Sequence, residues 1–309
     1  MSQEQYDAEF EAYWRSRFGG KLNPSLLDLK HLNYLDLSFN NFSASPIPSF
    51  LGSMKSLTSL NLSNAGFVGV IPHQLGNLSN LLYLDISGNQ FENTLIPSWI
   101  FGLRNLVSLY LSENYFQGPI PVGLQNMTSL RHLDLSRNNF NSSIPNWLYS
   151  FSRLEFLNLG SNNLQGTISS AIGNLTSAIS IDLSYNQLGG KLPRSLGNLC
   201  NLREIIVSYN KWSQEISEIL ESLSGCVSNR LEILDLSYSQ LHGHLMDELG
   251  VFKNLVKLYF QSNSISGPIP VSFGNLSSLT NLDFSNNQFS GTLPQNLGQL
   301  KNLVELSFS

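Results

Sequence analysis

Residues 130–148 read LRHLDLSRNNFNSSIPNWL, and nearly the same text recurs along the chain. The segment at 32 reads LNYLDLSFNNF, that at 106 reads LVSLYLSENYF, and that at 279 reads LTNLDFSNNQF. Aligned on the first leucine, the copies start at 32, 57, 81, 106, 130, 154, 178, 202, 231, 255, 279 and 303. Eight of the eleven intervals are 24 residues, two are 25 and one is 29. A fixed period of this kind predicts a solenoid.

The repeating unit, L-x-x-L-x-L-x-x-N-x-F/L-x-G-x-I/L-P, begins with a pattern typical of a short strand. Apolar and polar residues alternate in L-x-L, so one face of the strand is buried. One unit cannot bury that face alone, but stacked units can. The other half of each unit is short and helical or 3₁₀-like, and it is wider than a strand. The predicted fold is therefore an α/β solenoid, a horseshoe or superhelix of about 12 repeats of 24 residues with a concave parallel β-sheet.

An asparagine follows the strand of almost every repeat. A buried amide must be hydrogen-bonded, and the backbone of the adjacent turn is its natural partner. We therefore predict a ladder of asparagine amides along the stack, and their periodicity favours a structural role over a catalytic one. The column contains Asn40, Asn89, Asn114, Asn138, Asn162, Asn186, Asn210, Asn263 and Asn287, with Ala65 and Ser239 as exceptions.

Composition excludes several classes of function. The chain has 309 residues, of which 13% are charged, and a net charge of −5 without a basic stripe, so a nucleic-acid partner is not expected. No apolar run reaches the roughly 18 residues of a membrane span. The sequence contains no phosphate-binding glycine loop, nucleophile elbow or kinase signature, so we expect neither an enzyme nor a cofactor. His242 and His244 have no third ligand nearby in the sequence, so a metal site is not expected.

The segments FVGVIP, FQGPIP and ISGPIP carry an L-x-G-x-I-P signature, and with it the chain resembles the plant-specific class of leucine-rich repeat. The segments GGKLNPSLLDLKHLNYLDLS and LSGCVSNRLEILDLS are similar to plant receptor-like proteins, the class that includes receptors for fungal elicitors. The resemblance covers residues 16–309, which we interpret as one repeat domain lacking both end caps. Residues 1–15 stand where a further strand would be, so we interpret them as an insertion or leftover of a truncated repeat, with aromatic residues at helical spacing.

The resemblance implies a ligand-recognition module on the extracellular side of the plasma membrane, acting in immune or developmental signalling. Its expected partners are a protein or peptide ligand and a co-receptor kinase. The first residues lack the apolar segment of a signal peptide, so targeting and membrane attachment would come from segments absent from this chain. Two alternatives stay open, an enzyme inhibitor resembling polygalacturonase-inhibiting proteins and the ectodomain of a receptor kinase.

A secreted compartment bears on the cysteines and on the glycosylation sequons. Cys200 and Cys226 are the only cysteines, and a disulfide between them would fasten the extra loop of the 29-residue interval; the alternative is two free buried thiols. The seven N-x-S/T sequons are candidate N-glycosylation sites, although GNLS is also simple repeat consensus. They are Asn41, Asn61, Asn77, Asn126, Asn141, Asn174 and Asn275.

Candidate binding residues are the strand residues other than leucine, because their side chains point away from the leucine core onto the concave face. Tyr185, Tyr209 and Tyr238 occupy the same position in three successive repeats. Exposed aromatic residues flanked by a few charges are typical of a protein-binding hot spot. The alternative is that these tyrosines are repeat consensus and only cover one another. The predicted ligand-binding residues of the concave face are Phe156, Tyr185, Arg203, Glu204, Tyr209, Tyr238, Lys257 and Tyr259; a weaker second patch contains Tyr110, Glu113, His132 and Arg137.

Overall fold

The computed structural model of the chain describes residues 16–42, 45–92 and 94–308. The chain forms two compact units, Met1–Gln117 and Gly118–Ser309. The segment 1–15, for which the sequence suggests an insertion or a helix, lies outside the described residues.

Each repeat contributes one principal strand of three residues. In the described part of the first unit these strands are Tyr34–Asp36, Ser59–Asn61, Tyr83–Asp85 and Ser108–Tyr110. In the described part of the second unit they are His132–Asp134, Phe156–Asn158, Ser180–Asp182, Glu204–Ile206, Ile233–Asp235, Lys257–Tyr259, Asn281–Asp283 and Glu305–Ser307. Within each unit, neighbouring strands pair in parallel, which confirms the predicted α/β solenoid.

The register of the strands places leucine on leucine. Leu35 pairs with Leu60, and Leu60 with Leu84, so the middle residue of each strand meets the middle residue of the next. These side chains enter the core, where Leu60 and Leu84 are fully buried. The first and third residues of each principal strand therefore point to the opposite side. We call the surface that they form in each unit its strand face.

Short second strands and 3₁₀-helices complete the repeats. A proline or another residue with extended backbone precedes most of these helices; Pro72 leads into His73–Asn77, and the N–H of Leu78 closes the helix on the carbonyl of Leu75. The second strands are Ser45–Pro46, Phe67–Gly69, Gln90–Phe91, Gln117–Gly118, Asn139–Phe140, Gln165–Gly166, Gln187–Gly190, Lys211–Trp212, His242–His244, Ser264–Gly267 and Gln288–Phe289. The 3₁₀-helices are Pro24–Asp28, Ser49–Ser53, His73–Asn77, Ser98–Gly102, Val122–Asn126, Asn146–Ser150, Ser170–Asn174, Arg194–Asn198, Cys226–Asn229, Asp247–Val251, Val271–Asn275 and Gln295–Gln299.

The predicted asparagine ladder is present in the structure. The amide nitrogen of Asn186 donates to the carbonyls of Leu159, Leu183 and Ser184, at 3.0, 3.1 and 3.0 Å. Its oxygen accepts from the N–H of Leu164 at 2.9 Å. The amide thus joins its own turn to the preceding repeat, which explains why the residue recurs with the period of the fold.

The exception at Ser239 has a local explanation. By analogy with Asn210, whose amide reaches the carbonyl of Leu183 one repeat earlier, an asparagine at 239 would donate to the carbonyl of Val207. That carbonyl instead accepts from the indole N–H of Trp212 at 2.8 Å. Trp212 is completely buried, so its ring fills the core while its nitrogen replaces the missing amide donor.

The 29-residue interval contains a helix, which corrects the expectation of an extra loop. The helix Ile216–Leu223, here α1, buries Ile216, Ile219, Leu220 and Leu223, a spacing that forms one helical face. It packs directly on Gly197, where an added Cβ would lie 1.9 Å from the carbonyl oxygen of Ser222. Cys200 and Cys226 form a disulfide, with Cα atoms 5.0 Å apart, that ties the end of this insertion to the preceding repeat.

Candidate functional site

The three tyrosines of the predicted site lie in turns, not in strands. Tyr185, Tyr209 and Tyr238 each follow the last residue of a principal strand by three positions, so their description as strand residues is wrong. Their φ angles are 52°, 53° and 49°, in the left-handed region. The residue before the asparagine has this conformation in repeat after repeat, because the chain must turn there to leave the strand.

Backbone hydrogen bonds hold these turns at a constant spacing beyond the ends of the strands. The N–H of Tyr185 donates to the carbonyl of Ser208, and that of Tyr209 to the carbonyl of Ser237, at 3.0 and 2.9 Å. Because the three φ values are nearly equal, the Cα–Cβ bonds point the same way. The rings therefore stack, with centroids 4.0 Å apart for Tyr185 and Tyr209 and 4.1 Å apart for Tyr209 and Tyr238. We call these three residues the tyrosine stack.

The tyrosine stack is an amphipathic surface. Tyr185 is 52% exposed and Tyr238 is 40% exposed, while Tyr209 between them is half-buried. Burial, followed by hydrogen bonding among the three hydroxyls, raises the pKa of Tyr209 well above its usual range. The hydroxyl of Tyr209 thus stays protonated at physiological pH. The rings offer large apolar edges with hydrogen-bonding tips and lose little side-chain entropy on binding, since they are already ordered.

The remaining predicted residues lie along neighbouring rows of the strand face. Phe156, Glu204 and Lys257 occupy the first position of their strands, and Ser180 lies between the first two in the register. Glu204 accepts a hydrogen bond from the hydroxyl of Ser180 at 2.8 Å. Tyr259 ends its strand, and burial, followed by the charges of Glu305, Asp235 and Asp283, raises its pKa.

Arg203 lies six residues before Tyr209 and just before its strand, on the far side of the strand face from the tyrosine stack. Its guanidinium forms an ion pair with Glu232, with Nη1 2.6 Å from Oε1, which sequence reasoning missed. The two residues occupy the same position in adjacent repeats, so the repeat alignment could have found the pair. The positive charge of Arg203 is therefore paired with a carboxylate of the next repeat.

The weaker predicted patch is distributed over the two units. Tyr110 lies on the strand face of the first unit, where its ring packs against Tyr83 with centroids 5.5 Å apart. His132 lies on the strand face of the second unit and stacks on Phe156 at 4.8 Å. Glu113 and Arg137 each precede the asparagine of their repeat, with left-handed φ.

The glycosylation sequons fall into two structural environments. Asn77, Asn126, Asn174 and Asn275 are each the exposed last residue of a 3₁₀-helix, and Asn41 and Asn141 are also exposed. Asn61 differs, because it belongs to a principal strand of the first unit. Its amide nitrogen donates to Asp36 and its oxygen accepts from Ser63.

Family models match most of the repeats identified above. A leucine-rich-repeat region matches residues 16–158, and single leucine-rich repeats match residues 153–175, 177–199, 254–276 and 278–300. The chain is a leucine-rich-repeat protein. No helix in its described residues is both long and apolar enough to cross a membrane.

The sequence relatives of this leucine-rich-repeat protein are plant receptor-like proteins. It is 59% identical to Receptor-like protein EIX1 of Solanum lycopersicum over 63 residues, 20% of this chain and 6% of the relative. It is 58% identical to Receptor-like protein EIX2 of the same species over 55 residues, 18% of this chain and 5% of the relative. The matched segments therefore span about a twentieth of the length of these relatives.

Similar solved structures include complexes of plant receptors. The plant peptide hormone receptor RGFR1 in complex with RGF2 superposes with a TM-score of 0.80 at 28% identity, covering 94% of this chain and 46% of the receptor. The ectodomain of the Arabidopsis thaliana receptor kinase GASSHO1/SCHENGEN3, in complex with CASPARIAN STRIP INTEGRITY FACTOR 2, superposes with a TM-score of 0.82 at 31% identity. The match covers 95% of this chain and 34% of the receptor chain.

Proposed function

We propose that this chain is the ligand-recognition part of a plant receptor-like protein and that it binds a protein or peptide on the tyrosine stack and the adjoining strand face of its second unit. The observation that carries the proposal is the tyrosine stack. Three rings at 4.0–4.1 Å form a preordered aromatic surface, and Tyr185 and Tyr238 keep about half of their surface in water. Tyrosine is enriched among the residues that dominate binding energy at protein interfaces.

Polar residues beside the stack supply the orientation that apolar contact alone lacks. Glu204 and Lys257 lie in the same row of the strand face, with Ile233 between them in the register. A ligand segment that crosses the strands meets an acid, an aliphatic side chain and a base within about 10 Å, given a strand spacing near 4.8 Å. Binding on this surface needs complementarity and no bond-making chemistry, so we propose that the module is not an enzyme.

The relatives extend the proposal to partners and compartment. Receptor-like proteins and peptide-bound receptor ectodomains share the repeat, and one similar structure is that of the receptor kinase HAESA in complex with a peptide hormone and the co-receptor SERK1. We propose that this chain likewise meets a peptide or protein ligand and a co-receptor kinase, on the extracellular side of the plasma membrane, in immune or developmental signalling. N-glycosylation at exposed sequons is part of the same proposal.

A peptide-display selection tests this function. The wild-type chain is used to select binders from a random peptide library, and the affinity of each binder is then measured for Tyr209→Ala and Tyr238→Ala. Each change is expected to weaken binding more than about tenfold, the scale of an aromatic hot spot. Tyr115→Ala is the matched control, because Tyr115 is 58% exposed and lies in the first unit. A selection in which every recovered peptide binds the folded tyrosine variants as tightly as the wild type would refute this location of the site.

A further inference from the structure

The strand face of the first unit has a composition unlike that of the second. Among the residues that the structure describes, its eight outward positions hold three tyrosines, two aspartates, two serines and one asparagine, and none of the eight is lysine, arginine, histidine or aliphatic. They are Tyr34, Asp36, Ser59, Asn61, Tyr83, Asp85, Ser108 and Tyr110. We call this set the acidic aromatic face. In the second unit aspartate again ends four principal strands, at Asp134, Asp182, Asp235 and Asp283, whereas Lys257 and His132 occupy first positions. The repeat therefore imposes the aspartates, but it imposes neither the tyrosines nor the lack of basic residues.

Hydrogen bonds fix the carboxylates and rings of the acidic aromatic face. The hydroxyl of Tyr34 donates to Oδ2 of Asp36 at 3.1 Å, and that of Tyr83 donates to Oδ2 of Asp85 at 3.4 Å. Asp36 also accepts from the amide of Asn61 at 3.3 Å. The same motif, a tyrosine two residues before an aspartate, thus appears on two strands with one strand between them.

The acidic aromatic face carries negative charge at neutral and mildly acidic pH. Burial opposes ionisation of Asp36, but hydrogen bonds from Ser38, Tyr34 and Asn61 outweigh burial and lower its pKa. Burial, followed by the charge of Asp85, raises the pKa of Tyr83, so that hydroxyl stays a neutral donor. The donors that hold Asp36 are neutral groups, so they orient its charge without cancelling it.

The spacing of these groups suits an extended chain laid across the strands. Asp36 and Asp85 both pair with Asn61 in the register, which places them about 10 Å apart for strands about 4.8 Å apart. Tyr34 and Tyr83 are separated in the same way by the small Ser59. Tyr34 is 59% exposed, so its ring is available to a partner.

We propose that the acidic aromatic face is a second docking surface and that it binds a lysine- or arginine-bearing segment of a protein or peptide. Charge complementarity selects this occupant, because two aspartates share a face whose eight described outward positions include no basic residue. Aromatic rings add to the selection, since a cation is attracted to the face of a tyrosine ring. The surface belongs to the first unit and does not depend on the tyrosine stack.

Two labelled peptides test the proposal on the full chain by fluorescence anisotropy. One peptide has two lysines in a glycine-serine background, and the other has glutamates at the same positions. The lysine peptide is expected to bind, and its affinity to fall as ionic strength rises, because salt screens exposed charges. The glutamate peptide is expected not to bind. Equal affinity for the two peptides, or no binding of the lysine peptide, would overturn the proposal.

Charge-matched variants locate the binding. The double change Asp36→Asn and Asp85→Asn is expected to weaken lysine-peptide binding about tenfold, the scale of two partly exposed ion pairs. The control, Asp28→Asn with Glu92→Gln, alters net charge equally at exposed positions outside the face and is expected to change affinity less than twofold. A control that loses as much affinity as the aspartate variant would show that only net charge matters, and the proposal would be wrong.

Further variants separate this surface from the proposed ligand site and from a carbohydrate site. Tyr34→Leu keeps an apolar side chain but removes the aromatic ring, so it is expected to weaken the lysine peptide about threefold. Tyr209→Ala is expected to leave lysine-peptide binding unchanged. If this variant lost lysine-peptide binding, the peptide would lie on the tyrosine stack, and the assignment to the acidic aromatic face would be refuted. Displacement of the lysine peptide by a neutral oligosaccharide such as cellohexaose would likewise overturn the proposal, in favour of sugar recognition.

Discussion

Replacing Asn186 by alanine tests the asparagine ladder, because the consequences can be counted bond by bond. The amide donates to three carbonyls, but each of them keeps another donor: Leu159 keeps Asn162, Leu183 keeps Asn210, and Ser184 keeps the N–H of Ser161. The N–H of Leu164, by contrast, donates to the oxygen of Asn186 and would lose that acceptor inside the core.

The expected cost follows from this difference. A buried donor left without an acceptor costs about 1–3 kcal/mol, and each shared hydrogen bond contributes about 0.5 kcal/mol. Together these give a loss of about 3 kcal/mol in the free energy of unfolding. Asn186→Asp keeps the acceptor for Leu164 but turns an oxygen toward the carbonyls, so at neutral pH it is expected to destabilise the chain at least as much as alanine.

Urea unfolding followed by circular dichroism measures both variants, with Gln187→Ala as the control. Gln187 is the exposed next residue, and its truncation is expected to change stability by less than about 0.5 kcal/mol. The carbonyls favour the protonated form of an aspartate at 186, so its folded pKa is raised. The aspartate variant is therefore most stable at acidic pH and weakens as pH rises through the unfolded value near 4. An alanine variant within 1 kcal/mol of the wild type, or an aspartate variant as stable as the wild type at pH 7, would refute the reasoning.

Other features of the chain give three further predictions. Asn61 is expected to remain without a glycan in secreted protein, because its amide nitrogen donates to Asp36, whereas Asn77, Asn126 and Asn174 are expected to carry glycans. Glycopeptide mass spectrometry tests this, and a glycan on Asn61 would contradict it. Replacing Cys200 and Cys226 by serine is expected to lower the free energy of unfolding by about 3 kcal/mol, because the disulfide closes a loop of 26 residues. An unchanged urea midpoint would show that the disulfide contributes nothing to stability. Burial raises the pKa of Tyr149 to about 12. The unfolded chain releases this proton from about pH 10, so the free energy of unfolding falls between about pH 10 and 12. Tyr149→Phe is expected to reduce that fall, and chemical unfolding over this pH range measures it.

Periodicity made the fold predictable from the sequence, because every repeat places apolar residues at the same positions and buries them in the same way. The L-x-L spacing identified each principal strand, and the recurring asparagine predicted hydrogen bonds of the kind seen at Asn186. The sequence was less informative where the period is interrupted. The five extra residues near Cys226 suggested a loop, although Ile216, Ile219, Leu220 and Leu223 already show helical spacing. Alignment to one repeat pattern left the inserted residues without a match, so the helical spacing of their apolar side chains was overlooked.

The candidate site was predictable as a set of columns but not as a geometry. Repetition placed Tyr185, Tyr209 and Tyr238 together, and the structure brings their rings into contact. The sequence could not supply their left-handed turn conformation, because a tyrosine rarely adopts positive φ unless the surrounding backbone imposes it. The alignment places Arg203 and Glu232 at the same position of adjacent repeats, so the pairing of opposite charges was predictable, whereas its geometry depends on side-chain rotamers.

The hydrogen bond from Trp212 to Val207 has a consequence for how such chains evolve. Two positions 27 residues apart, 212 and 239, can each supply a donor to one carbonyl, so substitutions at them are coupled. A lineage could lose the asparagine at 239 harmlessly only after a tryptophan had reached 212, and later loss of the tryptophan would require the asparagine to return first. Among descendants of a common ancestor, the two residues should therefore substitute for each other, leaving a covariation signal that arises from shared use of an acceptor rather than from direct contact.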